Sequence, residues 1–290
     1  MENSSRFDSN EAVAARETIL VIRFSSLGDI LLTAPALRAL RRRYPNGHID
    51  LLVADEFADA ASLIRGPDRV LTFDRKSGLQ GLFELRRRLS RRYSIVVDLQ
   101  NSPRSLFLRL FTFPLVWVKA KRYRFRRWLL VRFKWNRYQQ VLPVPQRYLN
   151  ALSLFGVTDD EQGLELQIAE PTRVEALKNL TTDSPNKPLA ILCPGARHFT
   201  KRWPGERWVE LGKQLSAAGW QTAIIATEAE RALGDELKRG IPGSELICGR
   251  TIPEIAGLFQ QTNVVVCNDS GLMHLATGVG APVAAIFADE

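Results

Sequence analysis

Apolar runs and amphipathic stretches alternate along the first half of the chain. The run Ile19–Phe24 is almost wholly apolar, which is typical of a central parallel strand covered on both faces. Pro35 places a helix start near Thr33, because proline fits the first helical turn. Further apolar runs predict strands at Ile49–Val53, Val70–Phe73 and Ile95–Leu99, with helices near 57–64, 79–89 and 148–155. This order predicts a Rossmann-like parallel sheet with helices on both faces.

The second half repeats the alternation and predicts a second Rossmann-like domain. Its predicted strands are Leu189–Cys193, Thr222–Ala226 and a run from Val264 to Cys267, and its predicted helices lie near 207–218, 228–238 and 253–259. The polar residues 1–17 are expected to form a disordered tail. The polar stretch 181–187 is expected to link domains that span 18–180 and 181–290.

The first strand is followed by a polar stretch that predicts a turn, Ser25–Asp29. Asp29 lies at the carboxyl end of this strand, where open α/β sheets bind their ligands. Gly28 is expected to permit a tight backbone path, and Ser25 and Ser26 to hydrogen-bond an acceptor or the backbone. The alternatives are that Asp29 only caps a helix and that the serines are ordinary turn residues.

A strand, a polar turn, a helix and a second strand are predicted within Asn263–Phe287. Ser270 is a good N-cap residue, Gly271 allows close approach of the backbone to a ligand, and the free N–H groups of a helix start attract phosphate. His274 falls on the same helix face as Ser270. The pattern predicts a site for a nucleotide diphosphate, although a lone helical histidine is often purely structural.

Three stretches together resemble the signatures of the bacterial lipopolysaccharide heptosyltransferase family. They read SSLGDILLTAPALRALR, KRWPGERW and DSGLMHLA, and they stand in the family's order. The resemblance extends from Ile19 to Phe287 and implies an α/β fold of the GT-B type. In that fold an N-terminal acceptor domain and a C-terminal nucleotide-sugar-binding domain face each other across a cleft. The resemblance also implies inverting transfer of a heptose from ADP-heptose to the lipopolysaccharide inner core.

The resemblance assigns roles to individual residues. It implies that Asp29 is the catalytic base and that Lys201 binds the donor diphosphate, whose charge grows as the glycosyl bond breaks. The alternatives are that Arg202 binds the diphosphate instead and that Lys201 is a solvated loop lysine. It also implies that Ser270, Gly271 and His274 bind the donor.

Two further acids are expected at the donor site. Asp269 is expected to orient its loop or to contact the donor sugar. Glu228 follows the strand Thr222–Ala226, where Rossmann-like domains place an acid on ribose hydroxyls. Glu230 is its rival for this role, and both are alternatively first-turn helix acids.

Members of this family continue for several dozen residues beyond Phe287, starting with a Gly-Pro pair. We therefore expect the C-terminal domain of this chain to be truncated. Two alternatives to the heptosyltransferase reading stay open. One is a family member that uses another sugar nucleotide, and the other is a non-catalytic, truncated binder of nucleotide or glycolipid.

The net charge of +9 comes from one region, since residues 86–137 hold sixteen Lys and Arg but one acid, Asp98. Within it, residues 119–137 interleave cations with aromatic and aliphatic side chains, a pattern that favours an anionic inner-membrane surface or an anionic glycolipid acceptor. The residues expected to make this contact are Arg122, Arg124, Arg126, Arg127 and Trp128. Single-stranded RNA or a solvated helix face are the alternatives, but no RRM, KH or OB signature is present. We therefore expect no nucleic-acid partner.

Several classes of protein are excluded by the sequence. The three cysteines are far apart and lack metal-ligand spacing, which argues against a disulfide scaffold or zinc site and favours a reducing cytosol. No run of 18 apolar residues and no signal-peptide core are present. No Asp-x-Asp pair stands where a nucleotide-bound metal is expected, so neither a metal nor a cofactor is predicted. A cytoplasmic protein bound peripherally to the inner membrane fits these features.

Overall fold

Two parallel five-stranded sheets form the frame of the molecule. The computed structural model describes residues 17–89, 93–112, 114–121, 132–135, 142–170 and 187–287. In the first sheet the strands are ordered β3-β2-β1-β4-β5. Their bounds are β1 Thr18–Ile22, β2 His48–Ala54, β3 Arg69–Phe73, β4 Ile95–Asp98 and β5 Val116–Lys119. The predicted central position of the first strand is confirmed, since β1 pairs with both β2 and β4 and its residues 19–22 are buried.

Six α-helices accompany the first sheet within the described residues. They are α1 Leu27–Leu31, α2 Ala34–Arg43, α3 Ala58–Ser62, α4 Gly78–Arg88, α5 Pro103–Thr112 and α6 Val144–Ala151. The predicted start of α2 is confirmed, because Thr33 is its N-cap residue and Pro35 lies in its first turn.

The second sheet repeats the strand order of the first. Its order is β10-β9-β6-β7-β8, so that β6 takes the central place that β1 has in the first sheet. The strands are β6 Leu189–Cys193, β7 Gln221–Ala226, β8 Glu245–Cys248, β9 Val264–Asn268 and β10 Val283–Ile286, and the helices are α7 Gly205–Ala217, α8 Arg231–Gly240, α9 Ile252–Phe259 and α10 Gly271–Gly278. Both halves are therefore Rossmann-like, as predicted.

The stretch after β1 differs from its prediction. We expect a turn over Ser25–Asp29, but α1 begins at Leu27 and contains Gly28 and Asp29. The helix forms because Ile30 and Leu31 bury their side chains completely, and this burial outweighs the turn propensity of the serines and the glycine.

A crossing segment, residues 157–170, joins the two halves. The backbone N–H of Leu166 donates to the carbonyl of Gly278 in α10 over 2.8 Å, and that of Gln167 donates to the carbonyl of Leu63 after α3 over 2.8 Å. Leu166 belongs to one apolar cluster that includes residues of both sheets. The halves consequently share a core along this segment.

Some predicted features lie outside the described residues. These are the tail over 1–16, the linker over 181–186 with its domain boundary, and the side chains of Arg122, Arg124, Arg126, Arg127 and Trp128. Among the helices that are described, none is long and apolar enough to cross a bilayer.

Candidate active site

The two halves meet most closely where α1 faces the start of α10. A Cβ atom added to Gly28 would lie 2.5 Å from Cδ2 of His274, and one added to Gly271 would lie 2.7 Å from a methyl group of Leu27. Side chains at these two positions would push the helices apart. Each helix follows a strand at the point where its sheet reverses strand order, β1 beside β4 and β9 beside β6. Open α/β sheets bind ligands at such points, so both predicted ligand-binding ends open into one crevice.

Asp29 lies in α1 on the wall formed by the first half. Oδ2 of its carboxylate accepts hydrogen bonds from the backbone N–H of Ser26 at 3.2 Å and from the Ser26 hydroxyl at 3.0 Å. The same oxygen pairs with Nη2 of Arg23 at 2.6 Å, and the Asp29 side chain keeps 33% of its surface exposed. Asp29 thus stabilises its own helix start, and it lies near enough to His274 for its charge to raise the pKa of that imidazole.

Gly28 has a different structural role from the one predicted. We expect it to permit a tight backbone path, but it lies in the regular turn of α1. Its missing side chain instead leaves room for the ring of His274. Ser25, in contrast, is held through its backbone, since its N–H and that of Phe24 both point to Oε1 of Gln100 at 3.4 and 3.1 Å.

His274 lies between the acids of the two walls. Burial lowers the pKa of its imidazole, and the Lys201 ammonium lowers it further, whereas Asp269 and Asp29 act in the opposite direction. Because burial dominates, the pKa lies below the ordinary value of about 6.5 and the ring is neutral at pH 7. A neutral imidazole can donate one hydrogen bond without adding a positive charge.

Lys201 forms an ion pair with Asp269 at the mouth of the crevice. Asn268 fixes this region, because its side-chain amide donates to the Pro194 carbonyl over 2.7 Å and accepts from the Trp203 N–H over 3.2 Å. Arg202, the rival of Lys201, donates through Nε to the carbonyl of Ala196 and so holds its own loop. Of the two cations, Lys201 is therefore the better placed to bind a diphosphate.

A cavity of about 210 Å³ opens beside this cluster, between α10 and the carboxyl ends of β6 and β7. Apolar side chains contributed by Leu27, Ile225, Ile252, Ile255 and Leu272 line it. Ser270 and Gly271, where α10 begins, form its polar end, and within the described part of the chain the Ser270 hydroxyl is buried without a hydrogen-bond partner. An apolar slot that ends in free helix N–H groups suits a nucleotide.

The structure distinguishes the two candidate ribose-binding acids. Glu230 lines the cavity, and Gly195 lies so close that an added Cβ would be 2.5 Å from its carboxylate. Glu228 is not among the lining residues and instead forms a two-bond ion pair with Arg231 at 2.7 and 2.8 Å. The rival Glu230, and not the favoured Glu228, thus shares the cavity with Ser270 and Gly271.

Two arginines of the cavity are absent from the sequence prediction. Arg197 stands four residues after β6, and Arg250 stands two residues after β8 and pairs with Glu254 at 3.1 Å. The signal that could have found Arg197 is its position after the carboxyl end of a central strand. Over the described ranges, no cluster of three or more His, Cys, Asp or Glu side chains is arranged to hold a metal ion.

Comparison with known proteins identifies the family. The profile of glycosyltransferase family 9 (heptosyltransferase) matches residues 82–290. Lipooligosaccharide heptosyltransferase 2 of Haemophilus influenzae is 28% identical, and the match covers 93% of this chain and 82% of that protein.

Solved structures share the fold. The glycosyl transferase family 9 protein of Veillonella parvula superposes with a TM-score of 0.79 at 22% identity, covering 93% of this chain and 80% of that one. Escherichia coli heptosyltransferase WaaC with ADP-2-deoxy-2-fluoro heptose gives 0.69 at 21% identity, covering 92% and 88%. The two facing Rossmann-like halves are thus the GT-B architecture. Because the family profile matches the chain from α4 through the whole second half, the chain belongs to glycosyltransferase family 9, the heptosyltransferases.

Proposed function

We propose that this protein transfers a heptose from ADP-heptose to the inner core of lipopolysaccharide, with inversion at the anomeric carbon. The observation that carries the proposal is that α1, the helix that contains Asp29, meets the amide end of α10 through the contacts of Gly28 and Gly271. The names of similar proteins support the substrates, since they include lipooligosaccharide and lipopolysaccharide heptosyltransferases and an enzyme solved with an ADP-heptose analogue.

In this proposal the donor diphosphate lies at the start of α10. The free N–H groups of that helix and the unpartnered hydroxyl of Ser270 donate hydrogen bonds to its oxygens. Lys201 then exchanges Asp269 for the phosphate, because the two anions compete for one ammonium. Stabilising charge that develops on a leaving group is usually the largest single contribution to catalysis of this kind.

The acceptor hydroxyl is activated from the opposite wall. Asp29 takes its proton as the oxygen attacks the anomeric carbon from the face opposite the diphosphate, which inverts the configuration. His274, neutral and between the walls, donates a hydrogen bond to the donor without repelling Lys201. Glu230 accepts hydrogen bonds from the ribose hydroxyls at the far end of the cavity.

The proposal includes a location for the protein, bound peripherally to the cytosolic face of the inner membrane. Its support is the charge of residues 86–137, sixteen cations against one acid, which suits an anionic bilayer that carries an anionic glycolipid. Phe133 and Trp135, the aromatic residues of this region that keep 47% and 58% of their surface exposed, could enter the headgroup layer.

A donor panel tests the proposal. The purified protein is incubated with a heptose-free inner-core glycolipid and, separately, ADP-heptose, ADP-glucose, UDP-glucose or GDP-mannose, and nucleotide release and product mass are measured. We expect fastest turnover with ADP-heptose and a loss of about 10²- to 10⁴-fold in kcat for Asp29→Asn, the range of one general base. ADP should bind the variant as tightly as the wild type. Faster transfer from a UDP- or GDP-sugar would replace the proposed donor, and unchanged kcat in Asp29→Asn would remove the proposed base.

A further inference from the structure

A buried arginine stands directly behind Asp29. Arg23 follows β1 and keeps 5% of its surface exposed. Its guanidinium donates through Nη1 to the Leu99 carbonyl after β4 at 2.8 Å and pairs through Nη2 with Asp29 at 2.6 Å. It also lies 5.6 Å from the centre of the Tyr148 ring. These contacts anchor one planar group to both central strands of the first sheet.

The side-chain hydrogen bonds of Asp29 and its shortest ion-pair distance all involve one carboxylate oxygen. The Arg23 guanidinium, the Ser26 N–H and the Ser26 hydroxyl all meet Oδ2. Within the described residues, Oδ1 takes part in no hydrogen bond, whereas Oδ2 accepts both bonds from Ser26. The carboxylate is thus held through one oxygen, and the other is not used in a hydrogen bond.

A second ion pair, between Arg38 and Asp160, shows a different arrangement, in which both carboxylate oxygens are used. Arg38 contacts both oxygens of Asp160, through Nε at 2.6 Å and Nη2 at 2.7 Å, and Arg42 adds a third contact at 2.7 Å. No oxygen of Asp160 is left over. Burying an isolated ion pair brings little net stability. Stability therefore does not explain why Arg23 pairs with Asp29 while Oδ1 is left without a hydrogen bond.

We propose that Arg23 is a positioning residue, which fixes the Asp29 carboxylate by Oδ2 so that Oδ1 receives the proton of the acceptor hydroxyl. This inference rests on the proposed function. In the step, the hydroxyl proton passes to Oδ1 and the hydroxyl oxygen bonds to the anomeric carbon. The bond from that carbon to the diphosphate oxygen breaks, and its electron pair leaves with the nucleotide. Arg23 keeps all its protons and does not touch the substrate.

The test compares Arg23→Met, Arg23→Lys and Asp29→Asn with the double variant Arg23→Met/Asp29→Asn. We expect Arg23→Met to lose about 10²-fold in kcat, the cost of a misplaced catalytic group, while Kd for ADP changes less than about twofold. Arg23→Lys should recover part of this loss, because it restores the charge but not the planar pair of donors. The double variant should turn over at the rate of Asp29→Asn alone, since Arg23 acts through Asp29.

Arg38→Met is the matched control for the loss of an ion-paired arginine, since the Arg38 side chain keeps 14% of its surface exposed and that of Arg23 keeps 6%. It should lower Tm about as much as Arg23→Met and leave kcat within about threefold of the wild type. A double variant slower than Asp29→Asn by the full factor of Arg23→Met would overturn the inference, as would wild-type kcat in Arg23→Met.

A crystal structure of Arg23→Met, or of Arg23→Lys if the first does not fold, separates this inference from the proposed function. A rotated Asp29 carboxylate supports the positioning role whatever sugar is transferred, and an unmoved carboxylate overturns it. Unchanged kcat in Asp29→Asn together with a rotated carboxylate would count against the proposed base and not against the role of Arg23.

Discussion

At the scale of single residues, the crevice depends on two positions that have no side chain. Gly28 faces the ring of His274, and Gly271 faces Leu27. Both contacts are closer than a Cβ would permit. The neutral histidine and the carboxylate of Asp29 can therefore share a narrow space.

Gly28→Ala should disturb this space. Alanine is favoured over glycine in a helix by about 0.5–1 kcal/mol, but the new methyl group would lie 2.5 Å from His274, and overpacking of this kind costs about 1–3 kcal/mol. We expect the clash to win, with a lower Tm and a reduced kcat as His274 is displaced. Thermal unfolding and donor turnover measure the two effects.

Gly205→Ala is the control, because Gly205 opens α7 and an added Cβ there would have its nearest neighbour at an ordinary 3.8 Å. It should be as stable as the wild type or more so. Equal Tm and kcat for Gly28→Ala and the wild type would show that His274 can move without consequence.

The residues of the site could be predicted only in part. Asp29 and Ser270 stand out because strand ends and helix starts can be recognised in the sequence, and Lys201 because its stretch resembles a signature of the family. Arg23 cannot be found this way, because it lies within the apolar run Ile19–Phe24, and nothing in that run shows that its side chain reaches Asp29. The choice of Glu230 over Glu228 depends on a single turn of 3₁₀ helix after β7, which changes which acid faces the cavity.

At the scale of elements, the crossing segment is attached to α2 by charge. Asp160 keeps 7% of its side-chain surface exposed and contacts both Arg38 and Arg42. Hydrogen bonding to Arg38 is the main cause that holds the pKa of the Asp160 carboxyl far below its usual value. This ion-pair network holds the crossing segment against α2, and the same segment contacts α10 through the N–H of Leu166.

Asp160→Asn should destabilise the fold by about 3 kcal/mol at pH 7, because two arginines lose their anion. In the wild type the folded chain binds fewer protons at this carboxyl than the unfolded chain does. The contribution is therefore fully present above about pH 4 and is lost as the pH falls toward the lowered pKa. Urea unfolding of both proteins between pH 3 and pH 7 should show a difference that shrinks on acidification.

Glu210→Gln is the comparison variant, since Glu210 pairs with Arg207 on the exposed surface of α7. Its effect should stay below about 0.5 kcal/mol. A loss for Asp160→Asn no larger than this would mean that the crossing segment is held by its apolar side chains alone.

The elements themselves were predictable where they are long or central. β1, β6 and β9 are buried apolar runs, and α2 and α7 show helical periodicity. β5 and β8 were not predicted, because each has only four residues at a sheet edge, and their pairing with β4 and β7 decides their conformation. α1 was missed because tertiary burial of Ile30 and Leu31 overrides local turn propensity.

At the scale of the whole molecule, positive charge is concentrated in residues 86–137, while the crevice between α1 and α10 belongs to both halves. This asymmetry predicts binding to vesicles that contain anionic phospholipid, which weakens as salt rises. Replacing Arg122, Arg124, Arg126 and Arg127 with glutamine should lower the vesicle affinity by about 10²- to 10³-fold, since each cation near the surface adds about 1 kcal/mol. Sedimentation with vesicles measures it.

The matched control replaces four cations of the second half, Arg207, Arg231, Lys238 and Arg239, with glutamine. It changes the net charge equally and should leave vesicle binding almost unaltered. Equal losses in both variants would mean that net charge alone governs binding. Tighter binding of the wild type to single-stranded RNA than to vesicles at equal salt would favour a nucleic-acid partner.

The contacts that Gly28 and Gly271 make with the facing helices also predict which residues related sequences have at these positions. Leu27 occupies the volume that a side chain at position 271 would need. The combined size of the residues at positions 27 and 271 is therefore limited. Relatives with a bulkier residue at 271 should have a smaller one at 27, and positions 28 and 274 should show the same reciprocal exchange. An alignment would then record the meeting of the two halves as correlated substitutions between residues more than two hundred positions apart.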